Sequence, residues 1–230
     1  MSQPPVTSRA NDQRQELIDA IRMLERADII DHNGHVSIRL GDNRILINNG
    51  AAVKGKMSDD QLVEIDFDGN VISGAGKPPL EFHIHSEVYR ARPDVQAVAH
   101  THPRWSTFLT MVGEPYKHVY AQGVLLGDIP VMDTPLSVNT KPMGERLAKA
   151  LGDRPAVLLK AHGVTVVGAN MVECFALAAY VEENAYRQYM AKQIGDPYVF
   201  SEEEKKACYE KLWSASLFQK TWDHYRSKVD

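Results

Sequence analysis

The sequence predicts one α/β domain in which helices cover a sheet, and three observations carry that reading. The chain has 230 residues, enough for one large domain or two small ones, with an ordinary globular balance of 43% hydrophobic and 24% charged side chains. Helix-like and strand-like stretches intermingle from residue 11 onward, with no long linker, internal repeat or low-complexity block to divide them. Apolar residues recur at both the helical and the two-residue period, so each element has a face to bury.

Residues 1–10, which include Pro4, Pro5 and two serines, read as a flexible arm, and residues 11–230 as the domain. Leu17, Ile18, Ile21 and Leu24 fall at helical spacing and predict an amphipathic helix from Asn11 to about Ala27. In His35 to Leu40, Val36, Ile38 and Leu40 alternate with polar residues; Gly41-Asp42-Asn43 then turns the chain into a second strand, Arg44 to Ile47. Ser58 is placed to cap a helical turn, and a second hairpin is expected for Val63 to Phe67 and Val71 to Ser73 about Asp68-Gly69-Asn70. Pro79 opens a helix whose one face carries Glu81, Ile84, His85 and Val88, and Pro93 forbids its continuation. Val95 to His100 reads as a buried strand, Ser106 to Met111 as a short helix, and Val119 to Val131 as short strands broken by Gly123 and Gly127. Lys141 to Leu151 reads as a helix, and Val157 to Lys160 and Val164 to Val167 as strands. Met171 to Met190 is the longest predicted helix, and Glu202 to about Gln219 the last.

Charge and patterning exclude several classes. Lys and Arg number 26 against 30 Asp and Glu, and the net charge of −4 has the wrong sign for a phosphate-backbone binder, so no nucleic-acid partner is expected. No stretch approaches the roughly 18 consecutive apolar residues of a membrane span, and the first thirty residues hold no signal-like apolar run. The expectation is a cytoplasmic protein with no membrane partner. Cys174 and Cys208 sit in helical segments without metal-like spacing and read as two reduced thiols.

Nine histidines are many for such a chain, and their placement is uneven. His100-Thr101-His102 closes a strand, where residues i and i+2 project from one face and two imidazoles can grip one ion. His162 again follows an apolar strand and precedes Gly163. If these strand ends meet at one sheet edge, three neutral imidazoles would leave a divalent cation its full charge and open coordination positions, as catalysis requires. Surface or core histidines are the competing reading. Glu81 has two readings, a helix-capping carboxylate favoured by the dipole and a proton-transfer group. His85, one turn on, shares its face and can support it; His83 points elsewhere.

Four blocks in register resemble one family. They are Gly34-His35-Val36-Ser37-Ile38-Arg39, Glu81 at a helix start, Arg92 through Pro103, and Leu158-Leu159-Lys160-Ala161-His162-Gly163, and together they resemble the class II aldolase/adducin family over about residues 12 to 190. The resemblance implies a three-layer α/β/α domain around a central, largely antiparallel sheet, and a homo-oligomer, commonly a C4 tetramer with sites at subunit contacts. It also implies His100, His102 and His162 as metal ligands and Glu81 as the proton-transfer residue, sometimes also a ligand. Zinc, manganese, iron and cobalt all suit three histidines.

The departures are informative. Where the sugar-phosphate aldolases of the family carry Gly-Asn, Thr-Gly or Ser-Gly, and two serines, this chain has Gly34-His35, Asn49-Gly50 and Pro79-Leu80. Proline offers no N–H, and leucine no side-chain donor, so a phosphate would be poorly held there. The Gly-His-Val-Ser and Pro-Pro-x-Glu variants instead resemble the branch containing decarboxylases of ortho-hydroxy aromatic acids, such as dihydroxyphthalate and hydroxypyridine-dicarboxylate. The stretches Ser201-Glu202-Glu203 and Trp222-Asp223-His224-Tyr225 resemble it too. The expected function is therefore metal-dependent, non-oxidative decarboxylation of a small, non-phosphorylated hydroxy-aromatic acid, with protonated Glu81 as the proton donor. His35 reads as a substrate-binding residue or a polar strand residue facing solvent. Lys77 and Arg104 read as partners of a second substrate carboxylate or as solvated charges, and Tyr225 as closing the site from a terminal helix or as ordinary packing. Rival readings are an aldol-type lyase on a non-phosphorylated hydroxy acid, a non-haem iron oxygenase, and a non-catalytic adducin-like module.

Overall fold

A computed structural model describes residues 6–229. Its elements in chain order are α1 (Val6–Arg26), β1 (His35–Gly41), β2 (Arg44–Asn48), β3 (Leu62–Asp66), β4 (Val71–Gly74), α2 (Phe82–Ala91), β5 (Ala97–Thr101), α3 (Arg104–Met111), β6 (Val131–Met132), α4 (Lys141–Leu151), β7 (Ala156–Leu159), β8 (Gly163–Gly168), α5 (Met171–Ile194), α6 (Glu202–Leu212) and α7 (Ala215–Arg226). The eight strands form one sheet in the order β4-β3-β2-β1-β5-β8-β7-β6, antiparallel throughout except for the parallel β6–β7 pair.

Strand alternation divides the apolar side chains between two cores, one on each face of the sheet. Val36, Ile38, Leu46, Ala97, Ala99, Leu158 and Val166 join Leu17, Leu24, Phe175, Val181 and Trp222 from α1, α5 and α7. From the opposite face Ile45, Ile47, Val98, Val157 and Leu159 meet Ile84, Val88, Leu147 and Leu151 from α2 and α4. The expected three-layer α/β/α arrangement with a largely antiparallel sheet is the one observed. Arg39 ties β1 to the end of α2, its guanidinium donating to the Val95 and Arg92 carbonyls at 3.0 Å.

Four expectations are revised. The first helix starts at Val6 rather than Asn11, and what remains of the expected arm, residues 1–5, lies outside the described residues. Val119 to Val131 is a 3-10 turn over Ala121–Leu126 followed by the two-residue β6, not a set of strands. The Asn184 side chain on α5 accepts from the Val119 and Tyr120 N–H groups, at 3.1 Å each, and so satisfies donors that a strand partner would have used. The last predicted helix is two: Trp213 is extended and Ser214 caps α7 by accepting from the Leu217 N–H. The helix expected from Pro79 begins at Phe82, because Pro79 lies in the preceding turn, its carbonyl accepting from Phe82 N–H. Cys174 is a buried free thiol and Cys208 a half-buried one. Among the described residues no helix is long and apolar enough to cross a membrane.

Candidate metal centre and active site

The central strands bring the histidines together by register. His35 on β1 pairs directly with His100 on β5, and His100 pairs with Thr165 on β8, so the three side chains form one row on the α2 face of the sheet. His100 Nδ1 lies 3.1 Å from Thr165 Oγ1, which leaves Nε2 turned toward the strand ends. There His102, one residue past β5, places its Nε2 3.2 Å from His100 Nε2. Its other nitrogen, Nδ1, is 2.8 Å from Asp31 Oδ1, and the same oxygen accepts from the N–H groups of Asn33 and Gly34 at 3.0 and 2.9 Å.

His162 arrives from the tight β7–β8 turn, in which Ala161 adopts a left-handed φ of 52° and donates its N–H to Thr110 Oγ1 at 2.8 Å. The next residue must be glycine: a Cβ at Gly163 would stand 2.3 Å from the Thr101 carbonyl oxygen and 2.8 Å from His102 Cδ2. This close approach of β8 to the end of β5 sets His162 beside His102, with ring centroids 5.1 Å apart.

Glu81 completes the cluster. It precedes α2 but makes no capping bond to it, so the helix-capping reading fails. Its Oε1 accepts instead from the Val138 N–H at 2.6 Å, and its carboxylate lies 3.8 Å from Nε2 of His35, His100 and His162. Donor atoms of Glu81, His100, His102 and His162 all fall within 4.8 Å of one another, a set that can hold a metal ion. Burial holds the imidazoles of His35, His100 and His162 below their usual pKa, which keeps them neutral and lone-pair bearing as ligation requires. Burial alone would raise the Glu81 carboxyl, but the His35 ring, the Val138 N–H and the His162 ring outweigh it and lower the pKa to about 2. The lowered value favours the carboxylate form of Glu81 at neutral pH in the site without substrate.

A cleft of about 640 Å³ opens onto this cluster, walled by Pro78, Pro79 and Leu80 on one side and by Asp31, Lys54 and Ser137 elsewhere. His35 lines it and is 1% exposed, so it is not a solvent-facing strand residue. His85 does not bond Glu81: its Nε2 lies 2.6 Å from His35 Nδ1 and its Nδ1 2.6 Å from Ser37 Oγ, which in turn is 2.8 Å from the Tyr89 hydroxyl. His83 lies against Phe82, with tilted rings 4.0 Å apart between centroids, and is not part of the cluster.

Three expected substrate residues lie elsewhere. Lys77 is exposed and does not line the cleft. Arg104 lines a neighbouring cleft of about 500 Å³, at the start of α3. Tyr225 packs edge-on against Phe175 within its own chain, 5.3 Å between centroids, and is absent from the cleft wall. Conversely, sequence reading missed Asp31, Lys54 and Glu182. Glu182 is a buried carboxylate on α5 that accepts from Trp105 N–H, Ser106 N–H and Ser106 Oγ, and so anchors the start of α3 just after His102. Asp31-x-Asn33-Gly34 has the look of an ordinary Asx turn, and only its spatial proximity to His102 gives it meaning.

A mostly antiparallel sheet between helix layers, with a carboxylate and three imidazoles converging at the ends of its central strands, defines an α/β protein with a candidate metal site. Residues 15–189 match the class II aldolase and adducin N-terminal domain, and the chain belongs to that family. It is 31% identical over 175 residues to an L-fuculose phosphate aldolase of Methanocaldococcus jannaschii, covering 76% of this chain and 93% of that protein. A 3,4-dihydroxyphthalate decarboxylase of Arthrobacter keyseri is 30% identical over 186 residues, 74% of each chain. A solved L-fuculose 1-phosphate aldolase superposes with a TM-score of 0.78 at 28% identity, over 87% of this chain and 95% of its own. Its relatives thus include both aldolases and decarboxylases, enzymes that act on small molecules.

Proposed function

We propose that this chain is a divalent-metal-dependent, non-oxidative decarboxylase of a non-phosphorylated hydroxy-aromatic carboxylic acid, working as a homo-oligomer, in C4 arrangement. The observation that carries the reading is the wall of Pro78, Pro79 and Leu80 running directly into ionised Glu81 opposite the histidine cluster. Such a wall offers a ring an apolar surface and a phosphate no side-chain donor. His100, His102 and His162 would hold the metal, with Glu81 near enough to add a fourth donor. When bound, the metal supplies Lewis-acid stabilisation of negative charge on the substrate's hydroxyl oxygen.

The chain's own residues then handle the proton. Glu81, a carboxylate at rest, accepts the substrate's hydroxyl proton and delivers it to the ring carbon from which carbon dioxide leaves. The electron pair of the broken carbon–carbon bond returns to the ring, and the phenolate takes its proton back from solvent. His35 presents Nε2 to the same space, a buried nitrogen without a hydrogen-bond partner among the described protein groups. It orients a carboxylate or phenolic oxygen beside Glu81.

A second reading, aldol cleavage of a non-phosphorylated hydroxy acid, is favoured by the 31% identity to a fuculose phosphate aldolase and uses the same cluster. Incubating metal-loaded protein with a panel of ortho-hydroxy aromatic acids, under nitrogen and in air, separates the readings. Carbon dioxide released under nitrogen supports decarboxylation, pyruvate or another carbonyl product supports aldol cleavage, and a strict need for oxygen with iron points to oxygenation. His100→Ala should abolish metal content, while Glu81→Gln should keep the metal and lower turnover about 100-fold or more. Full activity in either variant defeats the assignment.

A further inference from the structure

Lys54 sits in the 3-10 turn Lys54–Lys56 after β2, is 4% exposed, and lines the cleft that Glu81, His102 and His162 share. An ammonium stripped of its hydration normally has a carboxylate against it. This one has none among the described residues. Its hydrogen bond is to the Ala52 carbonyl, 3.1 Å from Nζ, which leaves two of an ammonium's three N–H donors without a protein acceptor. Asp31 is close enough for its charge to bear on Lys54. That carboxylate, however, is already engaged by His102 Nδ1 and by the N–H groups of Asn33 and Gly34.

No other lysine or arginine lines this cleft among the described residues. Asn48, on the same wall, is committed, accepting from Val36 N–H and donating to the Asn49 carbonyl. We propose that Lys54 is the anion-recognition residue of the cleft and that the preferred substrate is a diacid, with one carboxylate and its hydroxyl at the histidine cluster and a second carboxylate on the Lys54 ammonium. This rests on the decarboxylase reading for the identity of the first carboxylate. A carboxylate rather than a phosphate is the match, because one lysine beside a proline-rich wall supplies too few donors for three phosphate oxygens.

The test compares metal-loaded wild type, Lys54→Met and Lys54→Arg on two ortho-hydroxy aromatic acids that differ by a second ring carboxylate. Lys54→Met, near-isosteric and apolar, should raise KM for the diacid by about tenfold to a hundredfold and KM for the monoacid by at least tenfold less than that, and Lys54→Arg should retain most of the preference. Calorimetric titration with inert phthalate and benzoate gives the same comparison without turnover. Wild type should bind phthalate at least tenfold more tightly than benzoate, and Lys54→Met should bind both alike. Equal binding of the two by wild type, an equal loss for both acids in Lys54→Met, or a stronger dependence on Lys54 for phenyl phosphate than for phthalate would each overturn the proposal. If no acid of the panel releases carbon dioxide, the decarboxylase reading fails, and the phthalate comparison still decides the role of Lys54.

Discussion

Asp31 offers a direct measure of how the protein holds its ligands. Nδ1 of His102 donates to Asp31 Oδ1 at 2.8 Å, which fixes the ring so that Nε2 carries the lone pair directed at His100 and the cleft. The carboxylate is itself held: burial pushes its pKa up, but the His102 contact and the N–H groups of Gly34 and Asn33 bring it below the usual carboxylate value. Asp31→Asn keeps an acceptor oxygen for the two backbone N–H groups and removes the charge. A hydrogen bond to a charged group is worth about 1.5 to 3 kcal/mol, and each 1.4 kcal/mol is tenfold. Metal affinity should therefore fall by about 10- to 100-fold, in line with other carboxylates that orient a ligating histidine. Competition titration against a chelator of known affinity, at constant pH, reads this directly. Because the backbone bonds survive, the urea midpoint of the metal-free variant should move little. Unchanged metal affinity with His102 intact would refute the claim that Asp31 orients the ligand.

Two further perturbations probe the same centre from other sides. Gly163→Ala places a methyl group 2.3 Å from the Thr101 carbonyl, so β8 must move away from β5; the expected result is about 1–3 kcal/mol lower stability in urea melts together with weakened metal uptake. Wild-type stability accompanied by wild-type metal uptake would show that the approach is not needed. Acid should destabilise the metal-free protein in two windows. As pH falls through the ordinary histidine value of 6.5, the unfolded chain binds protons that the buried, depressed-pKa imidazoles of His35, His100 and His162 refuse. Glu81, lowered from 4.5 to about 2, contributes stability that is full above 4.5 and lost as pH falls toward 2. Urea midpoints that stay flat from pH 7.5 down to 5 would contradict the first window.

Much of this site is legible in the sequence because strand period and register are short-range properties. A strand that begins at His35 and two apolar strands that lead into His100 and His162 need only pair in the right order, and the i, i+2 geometry of His100 and His102 follows from extended backbone. Glu81 was legible as a residue but not as a geometry, since its withdrawal from the helix depends on the Val138 N–H delivered by a loop 57 residues further on. Lys54 and Asp31 were illegible for the same reason. Each lies in an irregular turn with no periodicity, and burial beside the cleft is a tertiary fact. The flanking charges Lys77 and Arg104 drew attention by sequence proximity to the motifs, yet neither lines this cleft. The strands expected from Val119 to Val131 failed because a side chain, Asn184, takes the backbone hydrogen bonds.

The buried chain behind His35 bears on how the proton work of the proposed reaction would be divided. Tyr89 donates its hydroxyl proton to the Ser37 carbonyl, 3.1 Å away, and the Ser37 hydroxyl lies within hydrogen-bond reach of both the Tyr89 hydroxyl and His85 Nδ1, at 2.8 and 2.6 Å. In one of the two tautomer arrangements that this network allows, His85 donates from Nε2 to His35 Nδ1 and leaves His35 protonated on Nε2, the atom facing Glu81 at 3.8 Å. Each ring in this column is fully buried and held neutral by the loss of hydration, and the column ends at a tyrosine whose own pKa burial drives upward. The inner end of this chain, at Tyr89, is buried, and burial lowers the proton affinity of both rings. In that arrangement the chain aims one N–H donor at the cleft. In the proposed reaction, proton transfer at the reacting carbon would then fall to Glu81, at the boundary between the histidine cluster and the open cleft.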